Sequence, residues 1–282
     1  MNGYSALTNM PGEWQQWIAD NIKQCCSTES MLPMLIRDGH FPAQVAYDAI
    51  TEARAKLDGQ TVDPSARPQI DPTVNTIVLA DKQVDVLFTM HTPEIILFGN
   101  VLSNEECDTM IAYAEQRLAP STVITDHDDG QQLHAARTSN GAMLQRGEST
   151  FIAMVEARLA ALVNWPVENG EGLQVLKYGK GNEYRPHFDW FDPALPGPRK
   201  HLERGGQRVG TIIMYLSDVD AGGSTTFPVV GCQVKPRKGS AVYFANTNAF
   251  GVPNTNAYHG GDPVITGLKF IATKWLRARA HF

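Results

Sequence analysis

A chain of 282 residues, 43% hydrophobic and 19% charged, can bury a substantial core and has none of the composition of a disordered protein. Its net charge of −6 gives no general attraction for nucleic acid or an anionic membrane, and no apolar run is long enough to span a bilayer. The four cysteines, Cys25, Cys26, Cys107 and Cys232, lack CxxC spacing, which argues against a zinc framework or a disulfide scaffold. Met1 to Glu13 has neither a basic n-region nor an apolar h-region. Reduced thiols in a cytoplasmic setting are therefore the expectation.

From Glu13 to Leu57 the apolar spacing is helical. Trp14, Trp17 and Ile18 are spaced for one helix face, followed by Met31, Leu32, Met34, Leu35 and Ile36 and then by Val45, Ala46, Ala49 and Ile50, with Gly39 to Pro42 breaking the last two. Residues 1–60 are thus expected to form a small helical unit, either an extension packed on the main domain or a separate binding module. Residues 61–75, with Pro64, Pro68 and Pro72, read as a linker. The main domain is expected over 76–282. It opens with strand-like runs at Thr76 to Ala80, Val84 to Thr89 and Glu94 to Phe98. Ser103-Asn-Glu-Glu106 has the form of a capping box, and Cys107, Met110, Ile111, Ala114 and Leu118 give the following helix a buried stripe that Pro120 closes.

Ile152, Val155, Leu159 and Leu162 mark a further helix. Beyond it strands alternate with Gly- and Pro-rich turns, at Leu173 to Tyr178, Arg185 to Trp190, Val209 to Leu216, Gln233 to Lys235, Ser240 to Ala245 and Leu268 to Leu276. The expected class is α+β, a double-stranded β-helix (jelly roll) buttressed by the two helices. Two long loops, Asp192 to Gln207 and Asn246 to Tyr258, are expected to border a site.

Within that frame, His187 and Asp189 stand two apart, so on a strand both would face the same way. A distant His259 would complete a two-histidine, one-carboxylate triad, which suits Fe(II) with open positions. Zinc competes for the same ligand types, but its common HExxH pairing is absent. Alternation over Leu268 to Trp275 puts Lys269 on an inward face with Ile271, Thr273 and Trp275, and a buried ammonium needs an anion. The other six histidines, His40, His91, His127, His134, His201 and His281, have no partner spacing and read as loop or surface residues.

The stretch Tyr178-Gly-Lys-Gly-Asn-Glu-Tyr184-Arg-Pro-His187-Phe-Asp189, then Gly222-Gly-Ser-Thr225-Thr-Phe-Pro, then His259-Gly-Gly-Asp-Pro-Val-Ile-Thr-Gly-Leu-Lys269, resembles the catalytic core of the prolyl 4-hydroxylases, which are Fe(II)- and 2-oxoglutarate-dependent dioxygenases. The similarity reaches upstream to Arg137-Thr-Ser139 and Glu171-Gly-Leu-Gln-Val, and covers about residues 95 to 280. It implies that His187, Asp189 and His259 bind Fe(II), and that Lys269 pairs with the distal carboxylate of 2-oxoglutarate. Tyr178 and Thr225 would donate hydrogen bonds to that cosubstrate and Trp275 would line its pocket. Core packing is the competing reading for Tyr178 and Trp275. Family members often carry glutamate where this chain has Ser224, so the local turn is expected to differ.

The same resemblance places Arg137, Ser139, Glu171, Tyr184 and Arg208 on a substrate-facing rim. Arg137 and Glu171 could equally be a structural ion pair. The implied reaction is oxidative decarboxylation of 2-oxoglutarate by molecular oxygen, giving succinate, CO2 and a hydroxylated product, with ascorbate as reductant. Three readings stay open at this point: an oxygenase of prolyl residues in a peptide, an oxygenase of a free cyclic amino acid such as proline or pipecolate, and a non-enzymatic or zinc-binding jelly roll.

Overall fold

A computed structural model describes residues 5–23, 26–57, 67–71, 73–91, 93–124, 131–133, 137–192, 195–247 and 253–282. Residues 61–66 and 72 of the expected linker, together with Cys25, His127 and His134, lie outside the described residues. Two compact units are present, the first built on residues 5–57 and the second on Arg67–Thr247 with Pro253–Phe282.

The first unit packs α1 (Gly12–Lys23), α2 (Thr28–Arg37) and α3 (Ala43–Leu57) around Ile18, Met31, Leu35, Ala46, Ala49 and Ile50. Ser27 caps α2 by accepting from the Ser30 amide. The Glu52 carboxylate of α3 is buried, yet satisfied: it accepts from the amides of Ala6 and Leu7 and from the Ser5 hydroxyl.

The second unit is a jelly roll. Its larger sheet has nine antiparallel strands, in the spatial order Thr76–Val78, Gln83–His91, Glu94–Gly99, Ala241–Ala245, Arg208–Tyr215, Lys269–Arg277, Gly170–Tyr178, Asn140–Leu144 and Ala119–Pro120. The smaller sheet has four, Cys232–Val234, Thr225–Phe227, His259–Gly261 and Tyr184–His187. Side chains alternate along each strand, so the larger sheet buries both faces. Ile213, Tyr215, Val242, Phe244 and Ile271 pack inward against Phe227 and Val234 of the smaller sheet. On the outer face Ile212, Met214, Tyr243 and Ala272 pack under α4 (Asn104–Glu115) and α5 (Thr150–Leu162).

The capping box forms at α4, with the Ser103 hydroxyl accepting from the Glu106 amide and the Glu106 carboxylate from the Ser103 amide. That helix ends at Glu115, earlier than expected, and Pro120 falls instead in a short edge strand. The segment expected as a loop from Asp192 to Gln207 contains a helix, α6 (Pro196–Glu203), opened by Pro196 at its first position, where the missing N–H costs nothing. Gln207 closes the base of this excursion, accepting from the Phe191 amide and donating to the Phe191 carbonyl.

A buried ion pair joins α5 to the larger sheet. The Lys274 ammonium donates to the Glu156 carboxylate at 2.5 Å, with 3% and 2% of the two side chains exposed, and also to the Glu171 carbonyl. Removing one partner leaves the other charged and buried, which is more costly than removing both. Lys274→Met should therefore lower the unfolding free energy by about 3–5 kcal/mol in chemical denaturation, whereas Lys274→Met with Glu156→Leu should recover most of that loss.

Candidate metal and cosubstrate site

His187 ends its strand, and His259 begins the neighbouring one as its direct cross-strand partner. Asp189 lies two residues past the strand end, so sheet alternation alone does not aim it. Its carboxylate nevertheless turns between the two imidazoles, with Oδ1 at 3.6 Å from Nε2 of His187 and Oδ2 at 3.6 Å from Nε2 of His259. One ligand atom from each of the three lies within 4.8 Å of the others, the one such cluster among the described residues. Asp189 and His259 are buried, while His187 is half-buried and faces the opening.

Each imidazole is oriented through its other nitrogen. Nδ1 of His187 is 2.9 Å from the Arg185 carbonyl, and Nδ1 of His259 is 2.9 Å from the Ala257 carbonyl. A carbonyl can only accept, so each Nδ1 carries the hydrogen and each Nε2 lone pair points at the cluster. Burial, reinforced by the neighbouring His187, lowers the His259 pKa to about 4, against the opposing pull of Asp189. Its ring is therefore neutral at neutral pH. Burial alone would raise the Asp189 carboxyl, but His259, then His187 and Arg208, hold it below the usual carboxylate range. Two imidazole nitrogens and one carboxylate facing a common point fit a divalent ion with open positions. Of the remaining described histidines, His201 in α6 stacks on Phe191 and His281 lies at the carboxy terminus, away from the cluster.

The close pairing of the two histidine strands depends on Gly260. A Cβ there would meet the Tyr184 carbonyl oxygen at 2.9 Å and the Pro186 nitrogen at 3.0 Å, so only glycine lets the strands approach. On the far side of His259, Phe244 packs with its ring centre 4.4 Å away.

From this cluster a cavity runs inward, lined by Arg137, Tyr178, Tyr184, Thr225, Lys269 and Trp275 with Leu176, Ile213 and Ile271 as apolar wall. Lys269 is 2% exposed and forms no ion pair among the described residues. Burial lowers its pKa to about 8, only partly offset by Asp262. A buried ammonium facing a cavity, with no ion-paired carboxylate among the described residues, fits a dicarboxylate such as 2-oxoglutarate. The Tyr178 ring lies 5.3 Å from that ammonium. The Thr225 hydroxyl takes a hydrogen bond from Tyr215 at 2.7 Å, which leaves its own hydrogen to point elsewhere. The Ser224 hydroxyl accepts from Lys235 at 3.0 Å, and Thr225 lies in the cavity wall.

The expected rim divides into two groups. Arg137 and Tyr184 line the cavity, with the Arg137 guanidinium stacked over the Tyr184 ring at 4.7 Å and donating to Gln174 and Ser139. Tyr184 stacks in turn on His187 with ring centres 3.7 Å apart. Ser139, Glu171 and Arg208 stand behind the wall. The ion pair on Glu171 is made by Arg208, through Nε at 2.7 Å and Nη2 at 2.9 Å, and by Arg277, rather than by Arg137. The Arg208 guanidinium also lies 3.9 Å from the Trp275 ring centre. Tyr215, Gln174, Thr211 and Asn246 escape a sequence reading, because a hydroxyl or amide on an apolar strand carries no spacing signal; only their partners reveal them.

A family model for the 2OG-Fe(II) oxygenase superfamily matches residues 173–277. A probable prolyl 4-hydroxylase 6 of Arabidopsis thaliana is 41% identical over 208 residues, spanning 67% of this chain and 70% of that protein. Prolyl 4-hydroxylase 5 of the same organism is 37% identical over 202 residues, 65% of this chain and 68% of that one. Among solved structures, a viral collagen prolyl hydroxylase from Paramecium Bursaria Chlorella virus-1, in its 2OG complex, aligns with a TM-score of 0.52 at 27% identity, over 65% of this chain and 95% of that one. With three protein ligands and none in reserve, His187→Ala, Asp189→Ala and His259→Ala should each abolish stoichiometric Co(II) binding in calorimetric titration, while circular dichroism of the metal-free proteins stays unchanged.

Proposed function

Because the chain belongs to the prolyl 4-hydroxylase family within the 2OG-Fe(II) oxygenase superfamily, we propose that it hydroxylates a prolyl residue within a peptide, at a centre held by His187, Asp189 and His259. It is an Fe(II)- and 2-oxoglutarate-dependent dioxygenase. Fe(II) with 2-oxoglutarate supplies the oxidising chemistry: one oxygen atom of O2 enters a substrate C–H bond as hydroxyl, the other enters succinate, and CO2 leaves. Ascorbate serves as reductant.

The chain's own residues bind, orient and exclude. Lys269 holds the distal carboxylate of 2-oxoglutarate by a charge-assisted hydrogen bond, with Thr225 and Tyr178 as hydroxyl donors beside it. Leu176, Ile213 and Ile271 exclude water from the space between Lys269 and the triad. Burial raises the Tyr184 phenol to about 12, so its hydroxyl remains a neutral donor at the mouth.

The observation that favours a peptide over a free amino acid is the Glu171–Arg208 pair. Arg208 stands behind the cavity wall with its charge answered by Glu171 at two points, so it is not offered as a counter-ion to a substrate carboxylate. The carboxylate of free proline therefore gains no ion pair from Arg208, whereas the neutral backbone amides of a peptide need none. Turnover should therefore be seen with proline-containing peptides, read by succinate release and mass spectrometry, and should tighten as the peptide lengthens. Product from free proline or pipecolate, with none from peptides of any length, would overturn the peptide reading and leave the metal site intact.

Lys269→Ala should raise the 2-oxoglutarate requirement about ten- to a hundredfold, since a charge-assisted hydrogen bond contributes about 1.5–3 kcal/mol. Lys269→Arg should restore it only in part, because the planar fork does not reproduce a compact ammonium. The pH dependence has a definite sign. Below about 8 the Lys269 amine is charged and can pair; above it the amine is neutral. The 2-oxoglutarate dissociation constant should therefore rise roughly tenfold per pH unit above that value, with proton uptake on binding. A flat titration in Lys269→Ala would confirm that this lysine is the titrating group.

A further inference from the structure

We infer that Thr211 and Asn246 are positioning residues for the Asp189 carboxylate, fixing its rotation so that one oxygen, Oδ1, is presented to the metal. This rests on the triad reading above. Asp189 lies beyond its strand, so no ladder hydrogen bond sets its side chain, and a carboxylate on such a segment needs a tether from elsewhere. Thr211 supplies it. It sits in the middle of the central strand Arg208–Tyr215, paired with Phe244 on one side and Trp275 on the other, and its side chain is fully buried.

The Thr211 hydroxyl and Oδ2 of Asp189 are 2.7 Å apart, and the same hydroxyl is 2.8 Å from Nδ2 of Asn246. The direction of this chain follows from the chemistry. An ionised carboxylate only accepts, so the Thr211 hydrogen points at Oδ2; the hydroxyl oxygen then accepts from the Asn246 amide, which thereby holds the rotor in place. Asn246 is itself fully buried at the end of the neighbouring strand, and its amide nitrogen to Val209 hydrogen bond keeps its backbone in register with the Thr211 strand. Oδ2 is thus occupied by a fixed donor. Oδ1, on the His187 side, has no such donor and remains for the ion. Partners of this kind behind a metal ligand typically contribute ten- to a hundredfold in affinity.

The test uses the full-length protein freed of metal, with Co(II) as both ligand and spectroscopic probe. Thr211→Val removes the hydroxyl at nearly constant volume, and should weaken Co(II) binding about tenfold or more and alter the Co(II) absorption spectrum. Thr211→Ser, which restores the donor, should return both to parental values; loss of packing alone would not be rescued in the spectrum. Asn246→Ala should shift both in the same sense by a smaller amount. Should Thr211→Val fail to fold, Asn246→Ala carries the test. Parental affinity and spectrum in Thr211→Val, or in Asn246→Ala if that variant stands alone, would overturn the inference while His187→Ala still shows lost metal. Retained Co(II) in His187→Ala would instead overturn the triad on which the inference rests.

Discussion

Everything at the centre of this molecule depends on how closely two short strands can approach. His187 and His259 are direct partners across the smaller sheet, and they can be so only because Gly260 puts no side chain against the Tyr184 carbonyl and the Pro186 nitrogen. That contact brings two imidazoles within reach of one ion. The larger sheet does the rest from the opposite wall: its central strand carries Thr211 under Asp189, and its neighbour carries Lys269 deeper in the cavity. A jelly roll serves this chemistry because its two sheets converge on one mouth, where ligands far apart in sequence meet on rigid backbone.

Buried charge is handled in two different ways. Away from the cavity it is answered within the chain: Glu156 meets Lys274, Glu171 meets Arg208 and Arg277, and Arg158 meets Glu106 and Asp81. Each pair is costly to break and contributes little net stability, so its role is to fix geometry. Lys274 also donates to the Glu171 carbonyl, which ties the rim glutamate back to α5 through the outer face of the sheet. Inside the cavity the balance is left open. Lys269 faces inward with no ion-paired carboxylate among the described residues, and the triad gathers one carboxylate between two imidazole rings. These are the two places where the proposed metal ion and 2-oxoglutarate would meet the charge of the chain.

The helical unit at the amino terminus follows a simpler logic. Its three helices bury aliphatic and aromatic side chains against one another, and its buried acid, Glu52, is answered by backbone amides. No helix among the described residues is long and apolar enough to cross a membrane.

Local chemistry that repeats at a regular spacing was legible in the linear chain. The capping box at Ser103, the apolar stripes of α1 to α5, and the inward face of Lys269, Ile271, Thr273 and Trp275 follow from periodicity and from residue types with few alternatives, while His187-Phe-Asp189 named two ligands by residue type without aiming Asp189, which lies beyond its strand. The short strands at Ala119–Pro120 and Asn140–Leu144 and the helix α6 within an apparent loop were not, because segments this short have weak local preference and form on a scaffold already in place. The partner of Glu171 was likewise undecided by sequence. An acid and several arginines name the possible pairs, but only the placement of Arg208 beside Arg277 and over Trp275 selects among them. The same holds for Thr211, Asn246 and Tyr215. A hydroxyl or an amide on a hydrophobic strand has no periodic signature, and its meaning is fixed by the one polar atom that long-range pairing brings within hydrogen-bond distance.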